Sequence, residues 1–152
     1  LKNAINNTSY GNILEELNAL NIKPSPKNIS QAVINIRNRK LPNPTEIGNS
    51  GSFFKNPIVS SIKFKNLKRK FPEIVGYKIS ESETKIAAGW LIENAGLKGY
   101  RQGDAGIHKN QALVLVNYGT ASGKDIMHLA QKVQNIIIKK YGVHIIPEVN
   151  II

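Results

Sequence analysis

Ser52 is the residue whose neighbours best equip it for chemistry. It closes the run Gly48-Asn49-Ser50-Gly51 and is followed by Phe53-Phe54-Lys55-Asn56-Pro57. Two glycines with an asparagine and a serine between them make a tight turn, because positive φ is cheap there. The turn ends on one hydroxyl. Two aromatics follow that bury, then a cation and an amide that can hold an anion. Such a run presents a reactive hydroxyl on an otherwise closed surface. The plainer alternative is an ordinary turn entering a strand.

Glu148 is the second candidate. It is the one acid in a run holding Val143, Ile145, Ile146, Val149, Ile151 and Ile152, and it follows Pro147. A proline removes a ladder hydrogen bond and forces an edge or bulge, which re-aims the next side chain. Burial there would favour the neutral carboxylic acid, a proton donor. The alternative is a solvent-facing strand glutamate.

Other constellations fail on spacing. Gly119-Thr120-Ala121-Ser122-Gly123-Lys124-Asp125 has three residues between its glycines where a P-loop has four, and an acid stands where a Mg²⁺-binding hydroxyl belongs. It reads instead as a capped helix start. The elbow pattern G-x-S-x-G fits neither Ser50 nor Ser52. His108, His128 and His144 are scattered, with no spacing for a Ser-His-Asp triad or a metal site.

The elements that must carry these residues are readable in outline. Ile13, Leu14, Leu17 and Leu20 space a short amphipathic helix. Pro24 and Pro26 break the chain, and Asn28 with Gln31 suggests a capping box for a second helix striped by Ile29, Ala32, Val33 and Ile36. Arg37, Arg39 and Lys40 crowd its last turn, where cations complement the dipole. Residues 52–59 read as a strand, 61–70 as a basic helix, and 87–94 as an apolar helix closed by Gly96. Residues 107–109 and 112–118 read as strands. Ser122, with Asp125, caps the longest helix, 123–141. Residues 143–152 read as a last strand interrupted at Pro147. Without a βαβ rhythm, this is an α+β chain: a mixed, mainly antiparallel sheet of about four or five strands, with helices mainly on one face. No repeat or linker divides residues 1–152, so one domain is expected.

Composition narrows the class. A chain of 152 residues supports a sizeable core. It has no cysteine, which excludes disulfides, thiol nucleophiles and thiolate metal sites, and suits a reducing cytosol. No apolar run reaches the ~18 residues of a membrane span. Leu1-Lys2-Asn3 lacks an initiator Met and opens no signal peptide, so the chain reads as a piece of something longer. The net charge of +11 invites an anionic partner. Lys63, Lys65, Lys68, Arg69 and Lys70 form an acid-free cluster, but Phe64 and Phe71 read as core anchors rather than base-stacking platforms. A phosphorylated small molecule is favoured over nucleic acid. A stand-alone basic module for a nucleotide or nucleic acid is the alternative.

Taken together, GNSGSFFKNP (48–57), AAGWLIENAGLKG (87–99), HKNQALVLVN (108–117) and PEV (147–149), supported by KLPNP (40–44) and SYG (9–11), resemble the C-terminal half of the UDP-N-acetylenolpyruvoylglucosamine reductases, also called UDP-N-acetylmuramate dehydrogenases. The region around Tyr77 is similar to the longer form of that family, which has a mobile tyrosine loop. The resemblance implies an FAD flavoenzyme that takes electrons from NADPH and reduces the enolpyruvyl ether of a UDP-sugar in peptidoglycan synthesis. It implies Ser52 as proton donor and Glu148 as the second catalytic residue. Lys40 and Asn56 would hold the UDP portion, Tyr77 the diphosphate and Gln111 the nucleotide, and Arg37 would approach the flavin. Tyr10 lies in a family-like segment without an assigned contact. The resemblance also implies a preceding FAD-binding domain with the Gly-rich cradle this chain lacks, and a cytoplasmic, bacterial, monomeric full-length enzyme with no metal. A substrate-binding piece that alone reduces nothing is the expectation.

Overall fold

A computed structural model describes residues 6–8 and 11–151. Tyr10, and with it most of the SYG segment, lies outside the described residues. In chain order the elements are α1 (Ile13–Ala19), α2 (Pro26–Lys40), β1 (Gly48–Ser52), β2 (Ile58–Ser60), α3 (Ser61–Lys70), β3 (Gly76–Lys78), β4 (Glu83–Ile86), α4 (Ala88–Asn94), β5 (Arg101–Gln102), β6 (Ala105–Ile107), β7 (Val114–Asn117) and α5 (Gly123–Tyr141). They fall into two compact units, Leu1–Pro42 and Asn43–Ile152.

The first unit is a helical pair. Ile13 and Leu17 of α1 bury against Ala32 of α2, with Ile22, Ile29, Val33 and Ile36 around them. Ser25, not Asn28, caps α2: its hydroxyl accepts the Asn28 N–H at 3.2 Å, and Pro26 becomes the first helical residue. Proline suits that position because its missing N–H would be unpaired anyway. Glu16 is buried at the packed side of α1, where it accepts from Arg39 at 3.0 Å and from Asn35 at 3.3 Å. The Arg39 guanidinium holds its carboxyl below the usual range.

The second unit carries the α+β architecture. Its described strands form two antiparallel sheets rather than one, ordered β1-β7-β6-β5 and β2-β4-β3. Leu129, Ala130, Val133, Ile137 and Tyr141 of α5 share the core with Ala105, Ile107 and Leu115 of the larger sheet and with Leu91 and Ile92 of α4. The capping box at Ser122 and Asp125 starts α5, and Gly142 in the left-handed region at φ 63° ends it. Phe71, Trp90 and Tyr141 pack their rings together, with Phe71 and Tyr141 centroids 4.9 Å apart. Burial pushes the Tyr141 phenol up to about 12. Its hydroxyl donates within this packing to Asn94 Oδ1 at 2.7 Å.

Several strand expectations are corrected. The expected strand 52–59 is two short strands in different sheets, β1 and β2, separated by the buried Phe53 and Phe54. The strand expected at 107–109 sits at Ala105–Ile107, because His108 already turns back to donate to Val114 O at 2.9 Å. Residues 143–151 form no strand; among them one bridge joins Pro147 to Phe54. Proline cannot donate to a ladder, so the pairing does not extend.

Candidate functional site

Ser52 owes its placement to a break in the β1–β7 register. Gly48 pairs with Asn117 and Asn49 with Val116, but Ser52, not Gly51, pairs with Val114. One extra residue is therefore inserted in β1, a β-bulge with Gly51 at φ 74°. Glycine reaches that conformation without a Cβ clash. Asn49 spans the bulge: its Oδ1 accepts the Gly51 N–H at 3.0 Å and its Nδ2 donates to Ile47 O at 2.8 Å. Beyond the bulge Ser52 is exposed, and Phe53 turns into the core.

The backbone then delivers Glu148 beside it. Phe53 N–H donates to Leu113 O at 2.8 Å, Glu148 N–H donates to Phe53 O at 2.8 Å, and Lys55 N–H donates to Ile146 O at 2.9 Å. The residue next to Ser52 thus lies between the strand-entry segment of β7 and the chain end that carries Glu148. Glu148 itself is exposed, so the burial that would favour its neutral form is not found here.

Asn56 has a structural task as well. Its Oδ1 accepts the Ala88 N–H at 2.8 Å, which caps α4 from a distant segment, since the N-cap residue Ala87 has no capping side chain. With its oxygen held there, Nδ2 is left as the outward donor. Gln111 reaches the same turn: a Cβ built on Gly89 would meet Leu113 Cγ at 3.4 Å and Gln111 Oε1 at 3.8 Å. Ser52, Glu148, Asn56 and Gln111 are thereby tied into one region by the pairings of residues 53–56.

Tyr77 lies on β3, in the smaller sheet, 57% exposed and paired with Lys85 of β4. The link to Asn56 runs through the backbone: Ile86 N–H donates to Pro57 O at 2.8 Å and Ala87 N–H to Val75 O at 2.9 Å. Lys40 and Arg37 belong to the first unit, exposed in the last turn of α2.

Two features were not anticipated from the sequence. His108 is 7% exposed, and its Nδ1 is buried with no hydrogen-bond partner. Desolvation, with the charge of Lys109 beside it, holds its imidazolium below the ordinary histidine range. The helix-start loop 119–125 is acidic in its surroundings. Asp104 accepts the Thr120 N–H at 2.8 Å, the Thr120 hydroxyl at 3.0 Å and Arg101 at 2.7 Å, which hold its carboxyl below the usual range. A Cβ on Gly119 would meet that carboxylate at 2.8 Å. Asp104 and Asp125 both line the adjacent cavity of about 450 Å³. Two carboxylates at this point repel a pyrophosphate, so the loop does not fit a flavin or dinucleotide.

The basic helix α3 is partly engaged in packing. Lys63 donates to Gly142 O, and Lys68 donates to Ile74 O at 3.2 Å. Phe64 and Phe71 pack against the core, which leaves the cluster without exposed aromatics of its own. Among the described residues no helix is long and apolar enough to cross a membrane, and no group of three acidic, histidine or cysteine residues is placed to hold a metal.

Comparison with known proteins gives consistent matches. Residues 43–152 match the family model described as UDP-N-acetylenolpyruvoylglucosamine reductase, C-terminal domain. The chain is 56% identical over 147 residues to the UDP-N-acetylenolpyruvoylglucosamine reductase of Flavobacterium johnsoniae, covering 96% of this chain and 44% of that protein. It is 49% identical over 143 residues to the reductase of the same name from Pseudomonas savastanoi pv. phaseolicola, covering 93% and 42%. Among solved structures, UDP-N-acetylenolpyruvylglucosamine reductase from Thermus caldophilus aligns at 25% identity and a TM-score of 0.47, over 78% of this chain and 32% of that one. The chain therefore spans less than half the length of these relatives.

Proposed function

Because this chain belongs to the UDP-N-acetylenolpyruvoylglucosamine reductase family, through that family's C-terminal domain, we propose that it is the substrate-binding part of a longer reductase. The whole polypeptide would reduce UDP-N-acetylglucosamine enolpyruvate to UDP-N-acetylmuramate, in the cytoplasm and as a monomer, toward peptidoglycan. NADPH and FAD would be handled by the rest of the polypeptide. The loop 119–125, which opens α5, is lined by carboxylates and does not suit them.

The observation that carries this reading is the bulge that presents Ser52 while the next residue hydrogen-bonds to the backbone of Glu148. Once the terminal methylene of the enolpyruvyl group has accepted hydride, the adjacent carbon has enolate character. That carbon must take a proton. A serine hydroxyl is a weak acid, but an enolate carbon is a strong enough base when the geometry is fixed. Ser52 Oγ gives the proton, and the Glu148 carboxyl supports the acid-enolate from the neighbouring segment. The outward Nδ2 of Asn56, the amide of Gln111, the Tyr77 hydroxyl and the Lys40 ammonium are donors suited to a uridine diphosphate. Arg37, on the family resemblance alone, would approach the flavin.

In the full-length protein, Ser52→Ala should lower kcat for UDP-sugar reduction by about 10²–10⁴-fold, the usual worth of a positioned proton donor, with little change in KM. Wild-type turnover by Ser52→Ala would overturn the assignment.

A further inference from the structure

We propose that Asn49 is a positioning residue for Ser52, acting through the bulge it closes. The proposal rests on the functional reading above and adds a residue to it.

The register shows what the bulge accomplishes. Leu115 pairs across with Ile107, and both belong to the main core cluster; Val114 and Val116 have the opposite parity on β7 and are fully buried on the other face, outside that cluster. If β1 continued from the Asn49–Val116 pair without an inserted residue, Gly51 would oppose Val114, and Ser52 would oppose Leu113. Paired residues share a face of the sheet, so Ser52 would turn toward the core face with Leu115, and Phe53 would turn away from it. The observed pair is Ser52 with Val114, and Phe53 is 4% exposed within the core. One inserted residue thus exchanges the two side chains between faces.

Asn49 is the side chain that holds this insertion. Its amide makes two bonds across the turn, accepting from Gly51 N–H at 3.0 Å and donating to Ile47 O at 2.8 Å. The acceptor bond fixes Gly51 in its positive-φ conformation, immediately before the reactive hydroxyl. The donor bond ties the bulge to the residue preceding β1. Asparagine supports such a local turn through its own side chain. The three residues after the bulge are over-determined by the pairings of 53–55 with Leu113, Ile146 and Glu148. Loosening Asn49 therefore frees Ser52 more than it frees the core.

The test uses the full-length protein with Asn49→Ala, Asn49→Asp and Ser52→Ala. Asn49→Asp keeps an acceptor for Gly51 N–H and removes the donor to Ile47 O. A displacement near 1 Å of the proton donor costs up to about 100-fold. Asn49→Ala should lower kcat by about 10- to 100-fold while KM for the UDP-sugar changes less than threefold. Asn49→Asp should recover most of the loss, and the slowed variant should show a larger solvent deuterium isotope effect on turnover, the sign of a limiting proton transfer. Equal losses in kcat and KM, an unchanged isotope effect, or no recovery by Asn49→Asp would overturn the positioning role. If Asn49→Ala fails to fold, Asn49→Ser takes its place, because a serine hydroxyl supports such a turn only weakly: it should lower kcat and raise the isotope effect relative to Asn49→Asp, and wild-type values of both would overturn the positioning role. If Ser52→Ala turns over normally, the failure lies with the functional reading and not with Asn49.

Discussion

Asn56 offers a substitution pair that separates stability from binding. Its Oδ1 accepts the Ala88 N–H at 2.8 Å, and α4 has no cap of its own. That helix buries Ala88, Leu91 and Ile92 completely, so its first turn is anchored in the core. Removing the side chain in Asn56→Ala leaves an orphan helix donor, which costs about 0.5–2 kcal/mol as for other lost caps. Asn56→Asp keeps the oxygen and adds a negative charge at a helix start, worth roughly 0.3–1 kcal/mol in the favourable direction. It also removes the outward Nδ2 donor. Losing one hydrogen bond to a neutral ligand group costs about 0.5–1.5 kcal/mol, and to a phosphate about 1.5–3 kcal/mol. Urea denaturation of the full-length protein should therefore show Asn56→Ala destabilised and Asn56→Asp at or above wild type. Both should raise KM for the UDP-sugar, by about threefold to 100-fold. If Asn56→Asp destabilised the protein as much as Asn56→Ala, the distant cap would be wrong. If it left KM untouched, the outward amide would not be a ligand contact.

Gly76→Ala should destabilise by about 1–3 kcal/mol through overpacking, because its Cβ would lie 2.4 Å from Phe64 Cε2 and 3.1 Å from Thr84 Cγ2; thermal denaturation checks it, and a neutral result would show that Phe64 yields freely. Lys40→Ala should raise KM for the UDP-sugar and spare kcat, the mark of lost uniform binding, in steady-state assays. His108 is held neutral by burial, so its folded-state value lies below its unfolded value near 6.5. The unfolded chain then binds more protons below that pH, and stability falls as the medium is acidified from about 6.5 downward. His108→Gln should flatten this part of the stability-versus-pH curve measured by urea titration; an identical slope in both proteins would refute it.

What could be read in the sequence was local, and what could not was long-range pairing. The Ser122 and Asp125 box lies within four consecutive residues, so the start of α5 was legible and its observed span is the expected one. Ser25-Pro26 was equally local, but proline read as a breaker hid its other use as a first helical residue. The strands β3, β4 and β5 have two to four residues each, too few for alternation to stand out. Gly51 was legible as a positive-φ glycine; that its turn lies inside a strand depends on β7, far along the chain. Glu148 is the instructive case. An apolar run suggested burial, yet the observed exposure alternates, with Val143 and Ile145 buried and His144, Ile146 and Glu148 exposed. The period of two put the glutamate on the outer side, and counting from Val143 would have placed it there. The same parity leaves its side chain exposed while Val143 and Ile145 close the core, and its backbone N–H still pairs with Phe53 O at 2.8 Å.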